Sequence, residues 1–357
     1  MRRTVQAIDA VATPHGIDRY VELVAPTWST TEVRGRVTHV ERQTRDTVTL
    51  TIAANRNWTG FEAGQYTNLT VEIDGVRHTR CYSMANSAGP NRTIELTIKA
   101  HPHGVVSNHL RDEAVTGMVV GLSRAQGSFT LPSPRPARLL LVSGGSGITP
   151  VLSMLRTLCD EGHAGQVTFI HYARTAADMA YRAELKTLET LEHPNLRVIN
   201  VFTDAPGTGD LDGFVDAAQL SRADPEWQHA ETYLCGPAPL MEAMHRIYAE
   251  HGIGAQLHTE AFTLPQFLAE AGLVGGAVRW GASERTVASD GRTLLDQAEA
   301  SGLRPEFGCR MGICHTCTRT LSCGTVRDIV TGDLTSDAGT GVRLCVSVPV
   351  GDVEIDL

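Results

Sequence analysis

No stretch of this 357-residue chain approaches the ~20 consecutive apolar residues that cross a bilayer; its strongest runs, RLLLVS and GLVGGAV, are far too short. A transmembrane segment is therefore not expected. The opening residues MRRTVQAIDAVATPHG carry two arginines but no apolar core, so a secretory signal is not expected either, and the protein is expected in the cytoplasm. Positive charge is in short supply: 31 basic residues stand against 40 acidic ones, a formal net charge of -9. That balance argues against nucleic acid as a partner, since binding phosphates along a duplex needs a basic face. Lysine is nearly missing, with Lys99 and Lys186 the two among the basic residues, and this bias carries no functional weight. Eight cysteines in a cytoplasmic chain do not form a disulfide framework, so clustered ones point to metal or redox chemistry.

What remains is the composition of a soluble globular protein, 42% apolar and 20% charged, long enough for two or three domains. Residues 1–32 read as an extension with one weak amphipathic helix, IDRYVELVAP. Residues 33–134 alternate apolar and polar positions, as in VRGRVTHVERQTRDTVTLTIAA, and carry the hairpin signal Asp74-Gly75, which predicts a small antiparallel β-barrel. Residues 135–256 switch to alternating strands and helices, the pattern of a doubly wound α/β domain. Residues 257–267 read as a linker. In residues 268–357 strands flank one helix, TLLDQAEASGL, with a cysteine loop directly after it.

Chemistry-bearing stretches sit at defined places in these units. After the first α/β strand comes VSGGSGITPVLSML, where Gly144, Gly145 and Gly147 let the backbone approach a pyrophosphate at the start of a helix near Pro150. Pro150 replaces the third glycine or alanine of the usual dinucleotide fingerprint. A later strand ends in YLCGPAPLM, placing Cys235, Gly236 and Pro237 at the carboxyl edge where open α/β sheets bind ligands; a small buried packing residue is the competing reading of Cys235. The barrel offers RCYSMANS, with Arg80 to neutralise a phosphate, Tyr82 as a flat ring and Ser83 as a hydroxyl. HPHGVVSNHL places Gly104 and Ser107 ahead of a short helix.

Together and in this order, RCYSMANS, HGVVSNHL, GGSGITP and LCGPAPLM resemble the ferredoxin-NADP reductase superfamily, and the cysteine unit resembles a plant-type ferredoxin with a β-grasp fold. The resemblance covers about residues 33 to 357. Its domain order is similar to that of reductase components feeding oxygenases, hydroxylases and fatty acyl desaturases. The resemblance implies that Arg80, Tyr82 and Ser83 bind the flavin phosphate, its ring and the region of its N5, that Gly104, Val106 and Ser107 form a second flavin-phosphate segment, and that Gln65 and Tyr66 belong to the strand before the flavin. It implies that Gly144, Gly145, Gly147, Thr149 and Pro150 form the nicotinamide-nucleotide loop, with Cys235, Gly236 and Pro237 beside the nicotinamide. Ser83 and Cys235 are the candidates for shaping hydride transfer. FAD is the expected flavin, with FMN, used by the phthalate-dioxygenase-reductase branch, as the alternative. NADPH is expected over NADH, because the strand ending HYAR supplies Arg174 and then Arg182 where an NAD site places a carboxylate; Asp178 comes four residues after the strand end. Solvated surface arginines are the competing reading.

Cys309, Cys314, Cys317 and Cys345 are spaced C-x4-C-x2-C followed by 27 residues, the plant-type pattern for a 2Fe-2S cluster. Gly308 and Gly312 suit it by letting backbone amides turn toward the sulfurs. Structural zinc is the runner-up, but it favours paired C-x2-C knuckles and one such pair exists. His315 is expected at the surface and Cys323, Cys159 and Cys81 outside the site. The implied path runs from NADPH through flavin and cluster to a partner protein that meets the face around Cys309 to Cys317, with Arg310, Met311, His315 and Arg319. The alternatives are a redox-sensing or electron-carrier binding protein, which leaves the nucleotide motifs idle, and a free flavin reductase or NO-dioxygenase-like enzyme, which has no use for a cluster.

Overall fold

The computed structural model describes residues 21–22, 24–102, 104–190, 195–262, 276–308, 310, 312, 315–330 and 332–357, and the chain divides into two compact units, Met1–Glu260 and Ala261–Leu357.

The first unit begins with β1 (Val33–Thr44), β2 (Thr47–Ala54), β3 (Tyr66–Ile73), β4 (Val76–Ser83), β5 (Thr93–Lys99) and β6 (Val119–Leu122), an antiparallel sheet in the order β4-β3-β6-β1-β2-β5. Its two edges meet. Met84, just past β4, bridges Leu96 of β5, and the Ala85 N–H donates to the Glu95 carbonyl at 2.9 Å, which closes the sheet into a barrel. Period-two alternation drives this closure: Val48, Leu50, Ile52, Ile94, Leu96 and Ile98 all point inward and are fully buried. Asp74 and Gly75 both take positive φ, 51° and 76°, as a two-residue hairpin turn requires. Helix α1 (Val105–Glu113) adds Val106 and Leu110 to the barrel core.

The rest of this unit alternates β7 (Arg138–Gly144), α2 (Ile148–Asp160), β8 (Gln166–Ala173), α3 (Arg182–Thr190), β9 (Leu196–Phe202), β10 (Leu211–Asp212), α4 (Ala217–Ala223), β11 (Glu231–Cys235), α5 (Ala238–Glu250) and β12 (Leu257–Glu260). The strands form one parallel sheet, β10-β9-β8-β7-β11-β12. Strand order reverses between β7 and β11, and such a switch point opens a crevice at the strands' carboxyl ends. Helix α2 begins at Ile148, before the expected Pro150 and after a 3-10 turn over Gly145–Gly147. Proline is tolerated there because first-turn N–H groups have no partner within the helix.

The expected linker over 257–267 is corrected by β12. LHTE carries no apolar run, but the open edge of β11 recruits it, pairing Thr232 with Leu257 through Cys235 with Glu260. Residues 263–267 lie outside the described residues. So do residues 17–20 and 23 of IDRYVELVAP, of which Val21 and Glu22 are described as helical.

The second unit contains β13 (Ala277–Trp280), β14 (Arg285–Ala288), α6 (Leu294–Ala300), β15 (Thr318–Asp328), β16 (Leu334–Thr335), β17 (Gly341–Arg343) and β18 (Ser347–Ile355). Its sheet runs β14-β13-β18-β15-β16, with β17 paired to β15 and a parallel pair, β13 with β18, at its centre. Helix α6 supplies Leu294 and Leu295 to a core shared with Trp280, Leu321, Val346 and Ile355.

In the first unit a part-buried polar network joins barrel to parallel sheet. Arg156 of α2 donates from Nε and Nη2 to Glu184 at 2.6 and 2.5 Å, and from Nη1 to Glu95 Oε1 at 2.6 Å and the Ala85 carbonyl at 2.7 Å. The Tyr181 hydroxyl bonds Thr97 and donates to Glu95 Oε1 at 2.9 Å, while the Tyr181 N–H donates to Gln43 Oε1 at 3.0 Å. Tyr181 holds a positive φ of 59°, a strained position for a bulky residue that these bonds maintain. Replacing Arg156 by methionine leaves two carboxylates without their partner. A thermal melt should show the first unit destabilised by about 2 kcal/mol, roughly 4–8 °C; an unchanged melt would mean that the network adds nothing to stability.

Candidate functional site

Arg80, Tyr82 and Ser83 occupy the last turn of strand β4, opposite Leu69, Thr67 and Tyr66 of β3. Ser83 ends the strand and is buried; Arg80 and Tyr82 are half-buried, and burial raises the Tyr82 phenol, which Arg80 offsets in part. Arg80 Nη1 donates to the Thr79 carbonyl at 2.7 Å. Gln65 and Tyr66 act in support: Gln65 accepts the Glu62 N–H at 2.9 Å and donates to the Gly127 carbonyl at 3.3 Å, and the Tyr66 hydroxyl donates to Gln126 Oε1 at 3.2 Å. Ser107 lies inside α1 and not ahead of it. Its Oγ accepts the His101 N–H at 3.1 Å and donates to the Gly104 carbonyl at 3.4 Å, folding the turn so tightly that a Cβ on Gly104 would lie 2.2 Å from Ser107 Oγ. Val106 is a core side chain, which leaves its backbone as the part that could serve a ligand.

Across the sheet's switch point the two glycine turns interlock. A Cβ on Gly147 would sit 2.2 Å from the Cys235 carbonyl oxygen, and one on Gly144 would sit 2.8 Å from Pro237 Cδ. Gly145, at φ 54°, faces open space. Thr149 and Pro150 are buried, with Thr149 Oγ1 donating to the Ser146 carbonyl at 3.3 Å. Helices α1, α2 and α5 start at Gly104, Gly147 and Pro237 without a side-chain cap and without an acidic residue in the first turn. By contrast α4 and α6 are capped by Asp216 and Thr293, which accept N–H groups at 2.6 and 3.3 Å. Uncapped N–H groups at the three motif helices fit the phosphates of a flavin nucleotide and a nicotinamide dinucleotide.

A polar row crosses the carboxyl edge in register: Glu260, Cys235, Ser143, His171. Ser83 Oγ donates to Glu260 Oε2 at 3.3 Å, joining β4 to this row. Burial raises the Glu260 carboxyl to about 8, with the Ser83 hydrogen bond pulling the other way. Burial, and then the charge of Glu260, raises the Cys235 thiol well above its usual range, so it stays neutral. His171, whose Nδ1 lies 2.8 Å from Ser143 Oγ, is held down to about 3 by burial and then by Lys99, and is neutral as well. Glu260 was missed by sequence reasoning because it fell in the supposed linker. The regular βα alternation was the available signal, since a strand is due after α5.

Arg174 follows β8 directly and is exposed, and Arg182 opens α3, also exposed. Asp178, distant in sequence, is folded back: its Oδ1 lies 3.3 Å from Arg174 Nη2 and its Oδ2 accepts the Thr175 hydroxyl at 2.8 Å. The strand end therefore holds an ion pair and not a bare arginine.

In the second unit Cys309, Cys314 and Met311 lie outside the described residues. Cys317 and Cys345 are buried, and the Gly312 N–H donates to Cys345 Sγ at 3.1 Å. Gly312 has φ 75°, and a Cβ there would meet Val346 Cγ1 at 2.8 Å. Two buried thiols, one of them receiving a backbone amide, are donors suited to a 2Fe-2S cluster. His315 is exposed, as is Cys323; Cys81 and Cys159 are half-buried. Arg310, expected on the acceptor face, is ion-paired to Glu299 and, at 3.3 Å, to Asp296 on α6, with its guanidinium 4.0 Å above the Phe307 ring.

Residues 34–131 match the oxidoreductase FAD-binding domain family, residues 141–246 the oxidoreductase NAD-binding domain family and residues 278–350 the 2Fe-2S iron-sulfur cluster binding domain family. The chain is 38% identical over 352 residues to an NADPH oxidoreductase of Mycobacterium tuberculosis, covering 97% of this chain and 90% of that protein. It is 32% identical to the glycine betaine monooxygenase reductase subunit of Pseudomonas aeruginosa, covering 83% and 87%. In fold it is similar to phthalate dioxygenase reductase, with a TM-score of 0.61 at 24% identity over 91% of this chain and 97% of that one. The chain thus belongs to the ferredoxin-NADP reductase superfamily, as an NAD(P)H-dependent oxidoreductase whose FAD-binding and NAD-binding domains are followed by a 2Fe-2S ferredoxin domain.

Proposed function

We propose that the chain is the NADPH-dependent reductase component of a cytoplasmic system that passes electrons through FAD and a 2Fe-2S cluster to a partner oxygenase, hydroxylase or membrane desaturase. The observation that carries this reading is the buried bond from Ser83 to Glu260 beside Cys235, where the flavin strand meets the nucleotide turns. The Mycobacterium relative is by name an NADPH oxidoreductase and the Pseudomonas relative a monooxygenase reductase subunit, which supports the nucleotide and the class of acceptor. When bound, the flavin supplies acceptance of a hydride and release of single electrons, and the cluster supplies one-electron carriage.

In this reading Arg80 and the N–H groups over Gly104, Val106 and Ser107 hold the flavin phosphate, Tyr82 covers the ring, and Gln65 and Tyr66 brace the strand. Gly144, Gly145, Gly147, Thr149 and Pro150 receive the pyrophosphate, and Cys235, Gly236 and Pro237 lie along the nicotinamide. Cys235, neutral and buried, packs and orients without acting as a nucleophile. Below about pH 8 the Glu260 carboxyl is neutral and its bond with the Ser83 hydroxyl fixes that hydroxyl, so no negative charge stands where a hydride would be delivered. Arg174 and Arg182 bind the 2′-phosphate, with Arg174 exchanging Asp178 for the ligand. Cys309, Cys314, Cys317 and Cys345 ligate the cluster.

NADPH-driven reduction of ferricyanide and cytochrome c by flavin- and iron-loaded protein tests the whole reading; a loaded sample inert to NADPH would sink it. Cys314→Ser should keep ferricyanide reduction at the flavin and lose cytochrome c reduction, whereas intact cytochrome c reduction would favour a free flavin reductase. Because the Glu260 carboxyl lies near 8, hydride transfer to the flavin should slow above that point as ionisation puts a negative charge beside it. Glu260→Gln, neutral at every pH, should lack this limb, while Ser83→Ala, removing a bond that favours the ionised form, should move the limb to higher pH; an unchanged limb in Glu260→Gln would exclude Glu260 as its source. Replacing Arg174 and Arg182 by alanine should raise KM for NADPH about 10- to 100-fold and leave NADH nearly unchanged in steady-state kinetics; equal effects on both would exclude a 2′-phosphate role.

A further inference from the structure

One group outside every motif grips the cysteine loop. The carbonyl of Gly312 accepts a hydrogen bond from Arg343 Nη1 at 2.5 Å, and Arg343 Nη2 bonds Asp328 Oδ2. The N–H of the same glycine is the group that donates to Cys345 Sγ. Both polar atoms of Gly312 are therefore held, one by the guanidinium and one by the sulfur. Gly312 has no side chain of its own to hold it, and none fits, because Val346 fills the space a Cβ would take.

The brace itself is firmly placed. Arg343 ends β17, paired with Thr318 of β15, and Asp328 ends β15. Their side chains are 27% and 14% exposed, so the pair is partly withdrawn from water and not a loose surface contact. The fork of a guanidinium can serve a carboxylate and a carbonyl at once, which an ammonium on a flexible stem cannot do with the same geometry. Adjacent bonds complete the frame: the Leu344 N–H donates to the Cys317 carbonyl at 3.3 Å and the Ile329 N–H to the Val346 carbonyl at 2.8 Å.

We propose that Arg343, braced by Asp328, is a positioning residue that aims the Gly312 N–H at Cys345 Sγ and thereby sets the reduction potential of the cluster this sulfur ligates. The inference rests on the reading of Cys345 as a cluster ligand. An amide pointed at a ligating sulfur withdraws electron density and favours the more negative, one-electron-reduced cluster; loosening it makes the cluster harder to reduce. The charge of Arg343 is balanced by Asp328, so geometry and charge can be separated by substitution.

The test uses full-length, flavin- and cluster-loaded protein in redox titrations followed by electron paramagnetic resonance. Arg343→Met and Arg343→Lys should both lower the midpoint by about tenfold in the one-electron equilibrium, about 59 mV, and weaken the exchangeable-proton coupling to the reduced cluster. Asp328→Asn should shift it less, in the same negative direction. Flavin reduction by NADPH should be unchanged in all three. A positive shift in Asp328→Asn with a wild-type midpoint in Arg343→Lys would show a charge effect and overturn positioning, as would unchanged midpoints in every loaded variant. Should Arg343→Met assemble no cluster, Arg343→Lys decides by the same titration. Wild-type protein lacking two irons and two labile sulfides per chain would overturn the ligand reading as well, whereas loaded variants with unchanged midpoints overturn this inference alone.

Discussion

The approach of Gly147 to the carbonyl of Cys235, so close that a methyl group would lie 2.2 Å away, governs the geometry of the first unit. It brings the turn after β7 against the end of β11 at the place where the strand order reverses. Because β12 pairs alongside β11, the same contact delivers Glu260 next to Cys235, and Ser83 then reaches Glu260 from the barrel. The flavin strand and the nucleotide turns thus come to one crevice through backbone packing, before any ligand is considered.

Charge is distributed in keeping with that crevice. Glu260 below pH 8, Cys235 and His171 are all neutral, each because burial disfavours its charged form. Positive charge comes instead from Arg80 and Arg182 and from three uncapped helix starts, Arg174 being paired with Asp178. Such a pattern puts donors suited to anions at the rim of a buried interior, where low dielectric strengthens hydrogen bonds.

The second unit uses the same device in smaller form. A glycine with positive φ places an amide where no side chain could stand, and the partner is now a cysteine sulfur. What differs is the support. In the first unit the turns are held by packing against backbone, and in the second the loop is held by the Arg343–Asp328 pair as well as by Val346.

RCYSMANS, GGSGITP, LCGPAP and the cysteine spacing are local runs, and local runs carry turn chemistry, strand ends and helix starts, so the barrel, the parallel sheet and the cysteine unit were legible in the sequence by itself, together with the candidate residues at their turns. Glu260 was not, because LHTE becomes a strand only through the open edge of β11, and an edge is a property of the assembled sheet. Asp178 was read as too far from the strand end, yet the 3-10 turn after Thr175 returns it to Arg174. Arg343 and Asp328 lie in stretches with no motif, and only the ladder of β15 with β17 and β18 brings them to Gly312. The sequence determined which chemistry each segment can perform; the tertiary structure decided which buried groups face one another, because ionisation and hydrogen bonding depend on neighbours that the chain order does not reveal.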